Sequence, residues 1–181
     1  MGEENLPAPN HIIMITIYIK KCNTISQKIY DDTINRLQLH TVSCTCGCKG
    51  CLIYYGSYER TVKVMSESIR LRIARVMCRE CHHTHALHLS VIVPYSQVML
   101  QDQQDILNAH QSAKPVETIL ERNLLIDENT VKYIIRQYRI HWKERLAALG
   151  LSLLDELIIP CFADYSRQFM QIRHTPNILY S

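Results

Sequence analysis

The spacing of apolar and polar residues changes period part-way along the chain. His11–Lys20 is rich in β-branched residues, and its apolar run Ile12–Ile19, interrupted by Thr16 and Tyr18, reads as a buried strand. Ser26–Leu39 has the spacing of an amphipathic helix, with Ile29, Ile34 and Leu37 on its apolar side. From Cys51 to Val93 the period is close to two. Leu52–Tyr55 and Tyr58–Met65 read as a hairpin about Gly56-Ser57. In Ser68–Val76, Ile69, Leu71 and Ile73 alternate with Arg70 and Arg72, as on a half-buried strand. Leu87, Leu89, Val91 and Val93 alternate again up to Pro94.

After Pro94 the helical period takes over. Asp102–His110 is a short helix with Ile106 and Leu107 inward. Pro115 suits the first turn of a second helix carrying Val116, Ile119 and Leu120. Glu121–Ile126 reads as a turn, and Asp127 caps a longer third helix striped by Val131, Ile134, Ile135, Tyr138 and Trp142. Short helix, turn and longer helix form the pattern of a helix-turn-helix. Ser152–Ser181 holds a short apolar helix and a polar tail.

The expected fold class is α+β: a small β-rich zinc ribbon followed by a helical helix-turn-helix region. The expected divisions are a strand and helix over 1–43, the ribbon over 44–94, the helix-turn-helix over 95–150, and a helix and tail over 151–181. A composition that is 47% apolar with only 5 Gly and 6 Pro among 181 residues supports a packed chain. Residues 1–10 look like a flexible start. Met1–Pro9 has no basic opening or apolar stretch of a signal peptide, and no apolar run reaches membrane-spanning length. A cytoplasmic protein with no membrane partner is expected.

Cysteines give the clearest chemistry. Cys44, Cys46, Cys48 and Cys51 fall within eight residues, and Cys78 and Cys81 follow after the strands. Zinc takes four soft ligands in a tetrahedron, and paired thiolates on short turns supply two each. In a reducing compartment this pattern favours structural Zn²⁺ over disulfides. Cys78 and Cys81 are the downstream pair. Upstream, Cys44 and Cys46 are favoured because Gly47 follows them and suits a tight turn; Cys48 and Cys51 are the alternative pair. His82, His83 or His85 is a possible substitute for a sulfur.

The net charge of +3 decides nothing alone, but its placement does. Lys132, Arg136, Arg139 and Lys143, spaced 4, 3 and 4, share one face of the third helix. Asn129, Thr130, Tyr133, Arg136 and Gln137 are placed to meet base edges, while Lys132, Arg139 and Lys143 suit phosphates. Double-stranded DNA is the expected partner. Docking of a protein partner, or of a second copy, is the alternative. No phosphate-cradling glycine loop, nucleophile elbow or dinucleotide fingerprint is present, and Asp155, Glu156 and Asp164 show no organised carboxylate trio. An enzyme is not expected.

Several segments together resemble a bacterial family of unknown function associated with mobile elements. These are Cys44-x-Cys46-Gly47 with Gly50-Cys51-Leu52, Tyr55-Gly56-Ser57-Tyr58-x-Arg60, Arg75 through Cys78-x-x-Cys81-x-x-Thr84-His85-Ala86-Leu87, and Val93-Pro94-Tyr95-Ser96. The same order is similar to the N-terminal DNA-binding part of insertion-sequence transposases, a zinc finger followed by a helix-turn-helix. The resemblance runs from Cys44 to about Arg145, with a further match at Phe169-Met170-Gln171-Ile172 and Thr175-Pro176-Asn177. It implies DNA binding. Only about 36 residues follow Arg145, too few for the large domain that bears a transposase's acidic triad, so strand transfer is not implied.

Overall fold

A computed structural model describes residues 13–20, 24–64, 67–122 and 125–181, with the side chain of Ile13 excepted. The expected flexible start lies outside these residues, as do His11 and Ile12 of the first expected strand, Met65 of the expected hairpin, and Asn123 and Leu124 of the expected turn.

Five strands form one mixed sheet: β1 (Ile13–Ile17), β2 (Leu52–Val64), β3 (Glu67–Cys78), β4 (Thr84–Leu89) and β5 (Asn177–Tyr180), in the order β2-β3-β4-β1-β5. β2, β3 and β4 are antiparallel neighbours, whereas β1 runs parallel to both β4 and β5. The pairing of β1 explains its apolar sequence. A strand between two parallel neighbours is covered on both faces, so Met14, Ile15, Thr16 and Ile17 are all buried. β4, antiparallel to β3 on one side and parallel to β1 on the other, is also covered on both faces and buried from His85 to Leu89. Its alternation therefore does not mark an exposed face, and the strand stops at Leu89, short of the expected Val93.

Helices are α1 (Gln27–Arg36), α2 (Leu100–Gln111), α3 (Val116–Arg122), α4 (Glu128–His141), α5 (Lys143–Ala148) and α6 (Ile158–Tyr165). Ser26 caps α1 through a hydrogen bond from the Ile29 N–H. That helix is anchored to the sheet by buried Tyr30, whose hydroxyl donates to the Leu87 carbonyl at 2.8 Å and accepts from the Ala74 N–H at 2.8 Å. Asp127 caps α4 by accepting from the Thr130 N–H at 2.6 Å. One core cluster joins the sheet, α1 and the cysteine turns. A second joins α2 to α6 around Trp142, whose ring meets Phe169 edge-on at 5.4 Å.

Four expectations are corrected. Leu52–Tyr55 and Tyr58–Met65 are not two arms about Gly56-Ser57; both belong to β2, which passes Tyr54–Gly56 with a bulge and pairs along its length with β3. An extra residue in one strand bends it without ending it. Ile29 lies at the edge of α1 while Tyr30 takes the core position. Glu121 and Arg122 are helical and not part of the turn. The tail is not merely polar, because its last residues form β5. Strand pairing also crosses the expected divisions, since β1, the β2–β4 segment and β5 share one sheet. A buried relay ties the tail in: Thr16 donates to Asn177 at 2.9 Å, and Asn177 Nδ2 donates to Gln171 Oε1 at 2.9 Å. Among the described residues, no helix is long and apolar enough to cross a membrane.

Candidate metal centre and basic helix

Two turns at one end of the β2–β3 hairpin converge. In the upstream turn the Cys44 N–H donates to the Cys48 carbonyl and the Gly47 N–H to the Cys44 carbonyl, both at 2.9 Å. Gly47 sits at φ +87°, a left-handed conformation that costs a side-chain-bearing residue energy. The downstream turn has a matching bond pattern: the Cys78 N–H donates to the His83 carbonyl and the His82 N–H to the Cys78 carbonyl, both at 3.0 Å. Here the left-handed position, φ 58°, is held by His82.

These turns bring together Sγ of Cys44, Cys46, Cys78 and Cys81, all within 4.8 Å of one another. Cys44 and Cys81 are 3.5 Å apart, and Cys46 and Cys78 are 3.8 Å apart. Thiolates at about 2.3 Å from a tetrahedral zinc stand about 3.8 Å from each other, whereas a disulfide needs about 2.05 Å. Spacing and donor type both fit a four-sulfur metal site. Cys44 and Cys78 are buried, Cys81 is half-buried and Cys46 is exposed, so the cluster reaches the surface on one side. Neither sulfur of the alternative upstream pair belongs to this tetrad. Cys48 is half-buried and its Sγ faces the Lys49 carbonyl at 3.7 Å. Cys51 is buried beside the tetrad, 3.2 Å from Sγ of Cys78.

Local electrostatics single out Cys78. Burial opposes its ionisation, but the Cys81 backbone N–H, the Cys51 thiol and the Glu80 backbone N–H outweigh that and bring its pKa down to about 6. Burial pushes Cys81 up to about 12 and raises Cys44 and Cys51. A cation supplies the stabilisation that deprotonates such thiols.

The histidines divide. His82 and His83 are exposed, whereas His85 is buried on β4 with Nε2 3.2 Å from Sγ of Cys44. Burial, with the His83 charge second, lowers its pKa to about 4, so it is neutral at pH 7. Its hydrogen bond to the Cys44 sulfur is a contact that its sequence position did not reveal.

On α4 the buried side is Val131, Ile134, Ile135 and Tyr138. Asn129, Lys132, Tyr133, Arg136, Arg139 and Ile140 are exposed, as is Lys143 at the start of α5; Thr130 and Gln137 are half-buried. Lys132 pairs with Glu128 at 2.6 Å. Lys132, Arg136 and Arg139 line a shallow groove whose other wall carries His110 and Val116, and Arg139 and Lys143 line its continuation beside Leu107 and Gln111. The expected base-facing and phosphate-facing residues thus lie on one accessible side of α4, except Lys143, which the break at Trp142 puts on α5 and not on the expected single helix. Asp155 and Glu156 are occupied as backbone acceptors: Asp155 takes the Ser152 N–H at 2.6 Å, and Glu156 takes the N–H groups of Ile158 and Ile159 at the start of α6.

Residues 44–133 match a family described as a domain of unknown function (DUF6431). The match therefore covers both cysteine turns, β2 to β4, α2, α3 and the first residues of α4. No curated protein matches the chain. No solved structure matches it either.

Proposed function

We propose that this chain is a zinc-stabilised DNA-binding protein of a bacterial mobile element, a regulator or accessory with no strand-cleaving activity of its own. Zn²⁺ held by Cys44, Cys46, Cys78 and Cys81 fixes the hairpin end of the sheet and has a structural role. The helices α3 and α4 act as a helix-turn-helix, with α4 entering the major groove of double-stranded DNA. Asn129, Thr130, Tyr133, Arg136 and Gln137 read bases, and Lys132, Arg139 and Lys143 neutralise phosphates. The observation that carries the reading is the row of exposed cations on a helix whose opposite side is locked into the core. The mobile-element context rests on the resemblance of the cysteine and Gly-x-Tyr-x-Arg segments alone.

Fluorescence anisotropy with a labelled duplex tests this at several salt concentrations. Affinity should fall steeply with salt, and Lys143→Ala should weaken all sequences alike and reduce the log–log slope by about 0.9. Arg136→Ala should relax sequence preference more than it changes the slope. Salt-insensitive or absent binding would turn the reading towards a protein-docking module, for which the exposed rings of Tyr54 and Tyr55 on β2 are the visible handle. Supercoiled plasmid incubated with the protein and Mg²⁺ should stay unnicked.

A further inference from the structure

The exposed side of α4 carries apolar side chains that the core does not use. Tyr133 and Ile140 are 54% and 59% exposed, although Val131, Ile134, Ile135 and Tyr138 already supply the buried stripe of the same helix. They stand seven residues apart, about two turns along one face, and Arg136 lies between them on that face. A single exposed isoleucine is ordinary on a protein surface. Ile140 is not isolated: it lines the same groove as Arg136 and Arg139, together with half-buried Val116 and buried Ile135. Its place is also fixed. The Trp142 N–H donates to the Tyr138 carbonyl at 2.9 Å and the Trp142 ring is fully buried, so the last turn of α4 is held against the core.

A groove that mixes exposed cations with exposed apolar carbon selects among ligands. Phosphates alone satisfy the cations and leave Ile140 in water. A base-pair edge in the major groove satisfies both, because phosphates flank it and thymine presents an apolar group there, its C5 methyl. An isoleucine covers that methyl by contact alone and leaves no polar atom unpaired. Along a helix lying in the groove, a rise of about 1.5 Å per residue sets Ile140 about 6 Å beyond Arg136. That is within about two base steps of roughly 3.4 Å each.

We propose that Ile140 reads the C5 methyl of thymine beside the base that Arg136 meets, so that the duplexes this chain prefers carry thymine within about two steps of that base. The inference rests on the DNA reading. It adds to that reading a chemical group on the ligand and a residue outside the polar base-facing set.

The test uses the full chain and one duplex pool, enriched by repeated selection from random sequence and then copied with either thymidine or deoxyuridine. Deoxyuridine keeps the pairing and the polar atoms of thymidine and lacks only the methyl. Anisotropy across salt is read for both copies with the parent, Ile140→Ala and Ile140→Val. The parent should bind the thymidine copy about fourfold more tightly, the value of one buried methyl. Ile140→Ala should bind the two copies within about twofold of each other, and Ile140→Val, which keeps most of the contact, should keep most of the parent's preference. The salt slope should be the same for both copies, since their phosphates are the same. A parent that binds both copies alike but with steep salt dependence, or a pool that does not enrich, would overturn the methyl contact and leave DNA binding standing. A preference for the thymidine copy that survives in Ile140→Ala would overturn the assignment to Ile140. No salt-sensitive binding of either copy would sink the DNA reading and the methyl contact with it.

Discussion

Nε2 of His85 lies 3.2 Å from Sγ of Cys44, joining the fourth strand to a turn 41 residues earlier. With Nε2 protonated, the ring donates to the sulfur and offsets negative charge on a four-thiolate site. Such partners commonly change metal affinity by about 10–100-fold. His85→Phe keeps the ring volume and removes the donor. Its zinc affinity, measured by competition with a chromophoric chelator, should fall by about tenfold or more. Equal affinities would leave His85 as packing alone.

The tetrad predicts a ranking of cysteine variants. Native mass spectrometry should show a single zinc, and a strong chelator should remove it with loss of structure around the hairpin end. Cys44→Ser, Cys46→Ser, Cys78→Ser and Cys81→Ser should each lose zinc. Cys48→Ser should keep it. Cys51→Ser should keep the ion while weakening its hold, because Cys51 is outside the tetrad but touches Cys78. Retention by Cys44→Ser with loss in Cys48→Ser would move the site to the alternative pair.

Trp142 is the pivot of the helical core, fully buried between Phe169 and Tyr165. Trp142→Ala should cost about 3–5 kcal/mol in denaturant unfolding. A cost below about 1 kcal/mol would mean that the cavity collapses or that α4 and α5 pack differently from this arrangement.

His88 gives the fold a pH dependence. It is buried, its Nε2 is 2.8 Å from the Tyr58 hydroxyl, and burial, with the Arg60 charge second, lowers its pKa to about 3. The unfolded chain takes up this proton near pH 6.5 and the folded chain only near 3. Its contribution is therefore complete above pH 6.5 and is lost as pH falls towards 3. Between pH 6.5 and 5 the loss should reach roughly 1–2 kcal/mol, since the full slope of 1.36 kcal/mol per pH unit applies only well below 6.5. Urea melts of parent and His88→Gln at those two pH values should show the steeper acid loss in the parent. Parallel losses would mean that His88 titrates normally.

Local signals were legible in the sequence and long-range ones were not. The cap at Asp127, the helix stripe of Val131, Ile134, Ile135 and Tyr138, and the clustering of thiols all depend on residues close in sequence or of one chemical type. The bulge at Tyr54–Gly56 was hidden because Gly-Ser marks a turn as readily as an irregular strand. β5 was hidden because four residues after a proline carry too short a pattern, and its partner β1 lies near the other end of the described chain. The role of His85 depends on β3–β4 pairing, which sets Val76 opposite His85 and so brings this one of several neighbouring histidines beneath the cysteine turns. Spacing alone could not choose it from His82 and His83.

The place of β1 in the middle of the sheet has a consequence for how the chain is made. Thr16 and its hydrogen-bonded partner Asn177 are 161 residues apart. At ribosomal speeds of roughly 5–20 residues per second, β1 waits on the order of ten seconds for its last neighbour. The β2–β3 pair joins segments that follow one another in sequence, and the four thiols all fall within residues 44–81, so both come together soon after they emerge. The four thiols thereby come together before sheet completion, and the part of the molecule that carries them serves as the template on which the two parallel strands are later laid down.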